Sequence, residues 1–62
     1  MTNIYNVKIF TFNGSSEKLL LVIRDLSGVS VVEDSIGVVR LGLVPHTERV
    51  VDIRVDELYV AN

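Results

Sequence analysis

The sequence predicts an α+β fold: one small, β-rich domain over residues 1–62, with the element order β-α-β-β-β. Three observations predict it. Apolar and polar residues alternate near both ends of the chain, and one helical stripe of apolar residues lies between them. The composition, 48% hydrophobic and 23% charged, is that of a folded protein. A chain of 62 residues has a small core, which supplies roughly 3–5 kcal/mol of stability.

The first element is a strand over Ile4–Phe12, in which β-branched and aromatic residues recur at period two. One face carries Tyr5, Val7, Ile9 and Thr11. Phe10 and Phe12 fall on the other, nominally polar face with Asn6 and Lys8. We therefore expect the far end of this strand to be covered on both sides.

The second element, Ser16–Ser27, is predicted as a helix. A complete helical stripe at i, i+3, i+4 and i+7 is formed by Leu19, Val22, Ile23 and Leu26. Gly28 stands where a helix would end. A strand over Lys18–Ile23 is the alternative, because period alone does not separate a short apolar run from a helix. Asn13-Gly14 would then form the turn of a hairpin.

Three strands are predicted after Gly28. Val29–Glu33 is short and is followed by turn residues at Asp34, Ser35 and Gly37. Val38–Val44 follows, with Val39, Leu41 and Leu43 inward, and it ends at Pro45, which cannot donate to a ladder. The last strand, Arg49–Val60, comes after a polar loop.

We expect a dimer, because a small core usually needs further stabilisation. The chain has no Cys and a single His, so disulfides are excluded and a structural zinc site is not expected. Three or four strands in so short a chain leave a long apolar edge, which a homodimer sharing strands would cover. The longest apolar run, Leu19–Ile23, is too short to span a membrane. A cytoplasmic protein without a membrane segment is the expectation.

No catalytic or cofactor-binding motif is found. His46 has Glu48 two residues away, but a short polar loop specifies no shared geometry for a nucleophile and a base. The carboxylate pairs Glu33-Asp34 and Asp56-Glu57 lack the spaced ligands of a calcium loop. The glycines are too scattered to cradle a phosphate. We expect no enzyme, no metal and no cofactor.

Charge and aromatic residues bear on nucleic-acid binding in opposite directions. The net charge of −2 and the isoelectric point near 5.1 are unlike those of a dedicated nucleic-acid binder. Lys8, Arg40 and Arg54 nevertheless alternate to the polar face of the predicted sheet, and a dimer would double this basic patch. The Tyr and Phe residues could stack on bases, although core packing is their usual role in a small domain.

Two motifs lie near the end of the chain: V-R-L-G-L at Val39–Leu43, followed by Pro45, and I-R-V-D-E-L at Ile53–Leu58. Over Val38–Leu58 the sequence resembles the carbon storage regulator family of bacterial RNA-binding proteins. The resemblance implies an intertwined dimer that binds GGA-bearing loops in messenger leaders and blocks ribosome access. Here Arg54 stands one residue before the position of the family's RNA-contacting Arg, which turns it to the opposite face of the strand.

Two functions follow as hypotheses. The first is a dimeric RNA-binding translational regulator, with single-stranded or hairpin RNA as partner and Lys8, Arg40, Arg54 and Tyr59 as contact residues. The second is a protein-binding module or small inhibitor that pairs through an exposed sheet edge or helix face. A structural subunit of a larger assembly is a third. The two motifs near the end of the chain favour the RNA-binding regulator, and the mildly acidic net charge favours the protein-binding module.

Overall fold

The computed structural model describes residues 2–61 and contains three strands and one helix. In chain order they are β1 (Thr2–Phe12), β2 (Glu17–Ser27), α1 (Val29–Gly42) and β3 (Arg49–Ala61). The strands form one antiparallel sheet in the order β2-β1-β3. The α+β, mostly β class agrees with the sequence-based prediction. The element order, β-β-α-β, differs from the expected β-α-β-β-β. No helix within residues 2–61 is long and apolar enough to cross a membrane.

The segment expected to be a helix, Ser16–Ser27, is a strand from Glu17 onward, so the alternative of a strand over Lys18–Ile23 that follows a hairpin turn is correct. The Asn13 Oδ1 atom accepts hydrogen bonds from the backbone N–H groups of Ser15 and Ser16, each at 3.1 Å, and Gly14 supplies a φ of +96°. This turn places β2 beside β1, which provides hydrogen-bond partners along its length. That pairing outweighs the helical stripe.

Irregularities in β2 explain why its sequence lacks a strand period. Leu20 has no partner in the register with β1, because Ile9 pairs with Leu21 while Phe10 pairs with Leu19. A second register shift includes Asp25, whose φ is +59° and whose N–H donates to the Asn6 Oδ1 atom at 3.2 Å. These shifts interrupt the alternation of apolar and polar residues on which strand prediction depends.

The strands predicted at Val29–Glu33 and Val38–Val44 are wrong, since most of both segments belongs to α1. Val32, Ile36 and Val39 lie at i, i+4 and i+7 and form the stripe that packs on the sheet. The β-branched residues and Gly37 suggested two strands and a turn. A glycine inside a helix costs roughly 1 kcal/mol relative to Ala, and burial of this stripe offsets that cost.

The core lies between α1 and the helix-facing side of the sheet. Val7 and Ile9 of β1 are fully buried against Val32 and Val39 of α1. α1 packs over β2 and β1, so the helix side of β3 is more exposed. The first and last strands predicted from alternation, Ile4–Phe12 and Arg49–Val60, are confirmed as parts of β1 and β3.

Candidate functional site: the open face of the sheet

The face of the sheet opposite α1 carries aromatic and basic side chains on neighbouring strands. On β1, Lys8, Phe10 and Phe12 share this side because they are two residues apart. Across the ladder, Arg54 of β3 is opposite Lys8, and Arg49 is opposite Phe12. These five residues are called the open-face cluster below.

Each phenylalanine of the cluster carries an arginine above its ring. The Cζ atom of Arg54 lies 5.6 Å from the centroid of the Phe10 ring, and that of Arg49 lies 5.6 Å from the centroid of the Phe12 ring. Both distances are typical of cation–π contacts. The far end of β1 was expected to be covered on both sides, and the guanidinium groups, rather than a second layer of structure, cover its open side. Both rings are half-buried.

The local charge of the open face is balanced. Its acidic residues, Glu17, Asp52 and Asp56, stand opposite Phe12, Phe10 and Asn6 of β1. The Nε atom of Arg54 lies 3.3 Å from Oδ2 of Asp52, in an exposed pair. Exposed pairs of this kind contribute little to stability.

The residues predicted from sequence to contact RNA are only partly brought together. Lys8 and Arg54 are direct partners in the β1–β3 ladder. Arg40 is exposed in the last turn of α1, on the other side of the sheet, because the expected strand Val38–Val44 is mostly helix. Tyr59 is opposite Ile4, six residues from Phe10, which is roughly 20 Å along a strand. Neither Arg40 nor Tyr59 belongs to the open-face cluster.

Alternation along β1 predicts the face on which Phe10 and Phe12 lie, since both alternate with the fully buried residues Val7 and Ile9. Core packing is nevertheless the role expected of phenylalanines in a small domain. The sequence does not reveal that α1 packs on one face of the sheet and leaves theirs open, and no local pattern connects Arg49 with Phe12.

A second polar group joins the loop after α1 to the sheet. The Thr11 hydroxyl donates to Oε1 of Glu48 at 2.7 Å, and the Nζ atom of Lys18 lies 3.0 Å from Oε2. The Glu48 side chain is only 8% exposed. The Thr11 hydrogen bond, followed by the contact with Lys18, lowers the pKa of the Glu48 carboxyl below its ordinary value. Glu48 is therefore engaged with Thr11 and Lys18 rather than with His46.

A shallow pocket lies at the same end of the sheet. Its volume is about 380 Å³, and its lining includes Phe12, His46 and Arg49. It continues the open-face cluster toward the loop, so a ligand on Phe12 would also reach His46. Within residues 2–61, no group of three or more His, Asp or Glu side chains is arranged to hold a metal ion.

The outer side of α1 forms a separate apolar surface. Leu41 is 92% exposed, and Val38 and Leu43 are also exposed. A groove of about 300 Å³ runs between α1 and β2 and is lined by Val31, Val38 and Ile23, among others. This surface lies on the opposite side of the sheet from the open-face cluster.

Comparison with protein-family models, curated protein sequences and solved structures finds no match to this chain.

Proposed function

We propose that this chain is a small RNA-binding module that acts as a dimer in post-transcriptional regulation and binds single-stranded loops on the open-face cluster. The observation that carries the proposal is the pair Phe10 and Phe12, two residues apart on the central strand and on the side that no helix covers. Neighbouring aromatic side chains on an open sheet are the arrangement on which successive bases stack.

The cations of the cluster are placed to act with the rings. Arg49 and Arg54 lie above the rings, and their planar guanidinium groups can stack on a base or turn to a phosphate. Lys8 stands beside Arg54 across the ladder and adds a mobile positive charge. Stacking supplies affinity on a face of balanced charge, and the three cations direct the backbone.

The partner class is a short unpaired RNA segment. Unpaired bases in a hairpin loop can be splayed onto a sheet, whereas bases within a duplex are not accessible in this way. The choice of a loop that bears GGA comes from the resemblance over Val38–Leu58, of which only the motif Ile53–Leu58 lies in a strand, since most of Val39–Leu43 belongs to α1. The regulatory role also comes from that resemblance: occupancy of a messenger leader would block ribosome access.

The test is a fluorescence-anisotropy titration of a labelled RNA hairpin with GGA in its loop, beside a hairpin with a scrambled loop, at physiological salt. We expect binding that prefers the GGA loop. Phe10→Leu and Phe12→Leu keep the apolar bulk of each side chain and remove the π-face. Each should weaken binding about fivefold or more, because one stacked base is worth roughly 1–3 kcal/mol.

Arginine variants provide a matched control. Arg54→Ala should weaken RNA binding, whereas Arg40→Ala, on the other side of the sheet, should leave it unchanged. Far-UV circular dichroism checks that each variant keeps the wild-type fold. Equal loss in both variants, or no binding of either hairpin by the wild-type chain, would contradict the proposal.

A protein-binding module is the second candidate function, and the exposed apolar residues of α1 favour it. Leu41 and Val38 project from the helix, and isolated domains seldom leave so much apolar surface on one element. In this case Leu41→Ala would weaken binding to the partner, and the phenylalanine variants would leave it unchanged. The two functions use opposite sides of the sheet, so the two sets of variants separate them.

A further inference from the structure

The outer edge of β3 is the feature from which we draw a further inference. β3 is the longest strand, it pairs with β1 on one side, and no strand covers its other side within residues 2–61. Its exposed large apolar residues are Val51, Val55, Leu58, Tyr59 and Val60. A long, exposed, apolar strand edge offers unpaired backbone groups to another strand.

The helix leaves the flank of this edge uncovered. Val55 faces the same side of the sheet as its partner in the ladder, Val7, which is fully buried under α1. Val55 itself is 46% exposed. A second strand beside β3 would therefore bury apolar surface on the helix side as well as satisfy the backbone of the edge.

The charges of β3 are arranged for pairing with a copy of itself. Register shifts fall at Val51 and Leu58, and between them the pairing with β1 is regular over residues 52–57. Asp52, Arg54 and Asp56 alternate on the open face of this run. In an antiparallel pair related by a two-fold axis, a residue and its partner lie at equal distances from the axis.

The position of the axis decides which charges meet. An axis at Arg54 would place two Arg54 side chains opposite each other, and Asp52 opposite Asp56 of the second copy, which is repulsive. An axis at Val55 places Arg54 opposite Asp56 of the second copy, twice, and brings the two exposed Val55 side chains together. An axis at Ile53 would place Arg54 opposite Asp52 of the second copy. Asp52 already pairs with Arg54 within its own strand.

We infer that two copies of this chain join antiparallel through β3, with the two-fold axis at Val55. The product is a six-stranded sheet in the order β2-β1-β3-β3-β1-β2, with both helices on one face. Both open-face clusters then face the same direction on one continuous surface. The interface specifies the dimer of the proposed function and rests on that proposal only for its role in RNA binding.

Sedimentation velocity across a concentration series tests the interface. The chain has a mass of 6.9 kDa, so the dimer has twice that mass, 13.8 kDa. We expect the wild-type chain to sediment as the dimer. Val55→Lys, which places two positive charges on the axis, should sediment as the monomer. The control Val38→Lys, on the outer side of α1, should remain a dimer.

A charge exchange tests the register. Arg54→Asp places a carboxylate opposite Asp56 of the second copy and should give the monomer. The double variant Arg54→Asp/Asp56→Arg restores an opposite pair at that position and should recover the dimer. An axis at Ile53 predicts no recovery, since Asp52 of the second copy would then face the new aspartate. Recovery also shows that the loss in the single variant is not a failure to fold.

Either of two outcomes would overturn the inference: a monomeric wild-type chain at millimolar concentration, or a dimer that is lost in Val38→Lys and kept in Val55→Lys. Failure of the interface and failure of the proposed function give different results. A monomer that binds the GGA hairpin contradicts the interface and the dimeric state, and leaves the RNA-binding part of the proposed function standing. A dimer that is lost in Val55→Lys but binds no RNA contradicts only the RNA-binding function.

Discussion

At the scale of single residues, the Glu48 side chain connects the loop between α1 and β3 to the sheet. Its carboxylate accepts a hydrogen bond from the Thr11 hydroxyl and forms a salt bridge with the Lys18 ammonium. Glu48 thereby connects the segment before β3 to β1 and β2. Thr11 is fully buried, and its hydroxyl would lack this partner without Glu48. The residue therefore contributes to the fold of the sheet end that carries Phe12.

The lowered pKa of Glu48 predicts a dependence of stability on pH. Because the contacts of the folded state favour the ionised form of the carboxyl, Glu48 contributes stability above its ordinary pKa of 4.5. This contribution is lost as the pH falls below 4.5 through the lowered pKa of the folded state. Urea denaturation at a series of pH values should show that the free energy of unfolding decreases less below pH 4.5 for Glu48→Gln than for the wild-type chain. The exposed Glu33→Gln serves as control and should follow the wild-type profile. Identical profiles for all three proteins would contradict the assignment.

At the scale of elements, α1 is the segment whose identity matters most, because it determines which face of the sheet is open. As a strand, Val38–Val44 would place Val39 and Leu41 on the same face. As a helix, it turns Val39 into the core and Leu41 to solvent, with exposures of 2% and 92%. Two apolar residues that lie two positions apart thus acquire opposite roles.

Alanine substitutions at these two positions test the helix. Val39→Ala removes two buried methyl groups and leaves a cavity, so it should lower the free energy of unfolding by about 2 kcal/mol. That is a large fraction of the roughly 3–5 kcal/mol available to a domain of this size. Leu41→Ala should change it by about 0.5 kcal/mol or less, as surface substitutions do. Similar losses in both variants, measured by chemical denaturation, would indicate the strand instead.

At the scale of the whole molecule, the distribution of charge matters more than its sum. The chain carries a net charge of −2, yet three of its six cations, Lys8, Arg49 and Arg54, are gathered on the open face. Acidic residues share that face, so its long-range attraction for a polyanion is weak. Binding by such a face depends on contact with the rings, and it should be less sensitive to salt than binding by a basic protein.

If the chain binds RNA as proposed, the salt dependence of binding measures the balance between charge and stacking on this face. Neutralisation of phosphates by three cations predicts a slope of about −2 in a plot of log affinity against log salt concentration for one copy of the chain, since each phosphate on a single strand contributes roughly −0.7. Arg54→Ala should reduce the slope by about 0.7, and Arg40→Ala should not change it. A slope near zero for the wild-type chain would mean that apolar contacts alone carry the binding.

Prediction of the open-face cluster from sequence was limited by topology rather than by residue type. Lys8 and Arg54 were placed together correctly, since alternation along β1 and β3 was enough to assign their faces. Arg40 is expected on the same face, but its segment is a helix rather than a strand, and the helix places it on the other side of the sheet. Alternation also predicts the face of Phe10 and Phe12, but the sequence does not reveal that α1 leaves this face open. The hydrogen bond between Thr11 and Glu48 joins residues far apart in sequence, and no local pattern indicates it.

The sequence by itself determined the first and last strands, because regular alternation is a local property that agrees with their pairing in the sheet. Between residues 13 and 43 the local pattern favours a helix followed by two strands, whereas the structure has a hairpin turn, a strand and then a helix. The tertiary structure decided between them. Pairing with β1 selects β2, and burial of Val32 and Val39 on Val7 and Ile9 selects α1. These contacts join distant parts of the chain, and they outweigh local propensities of a few tenths of a kcal/mol per residue.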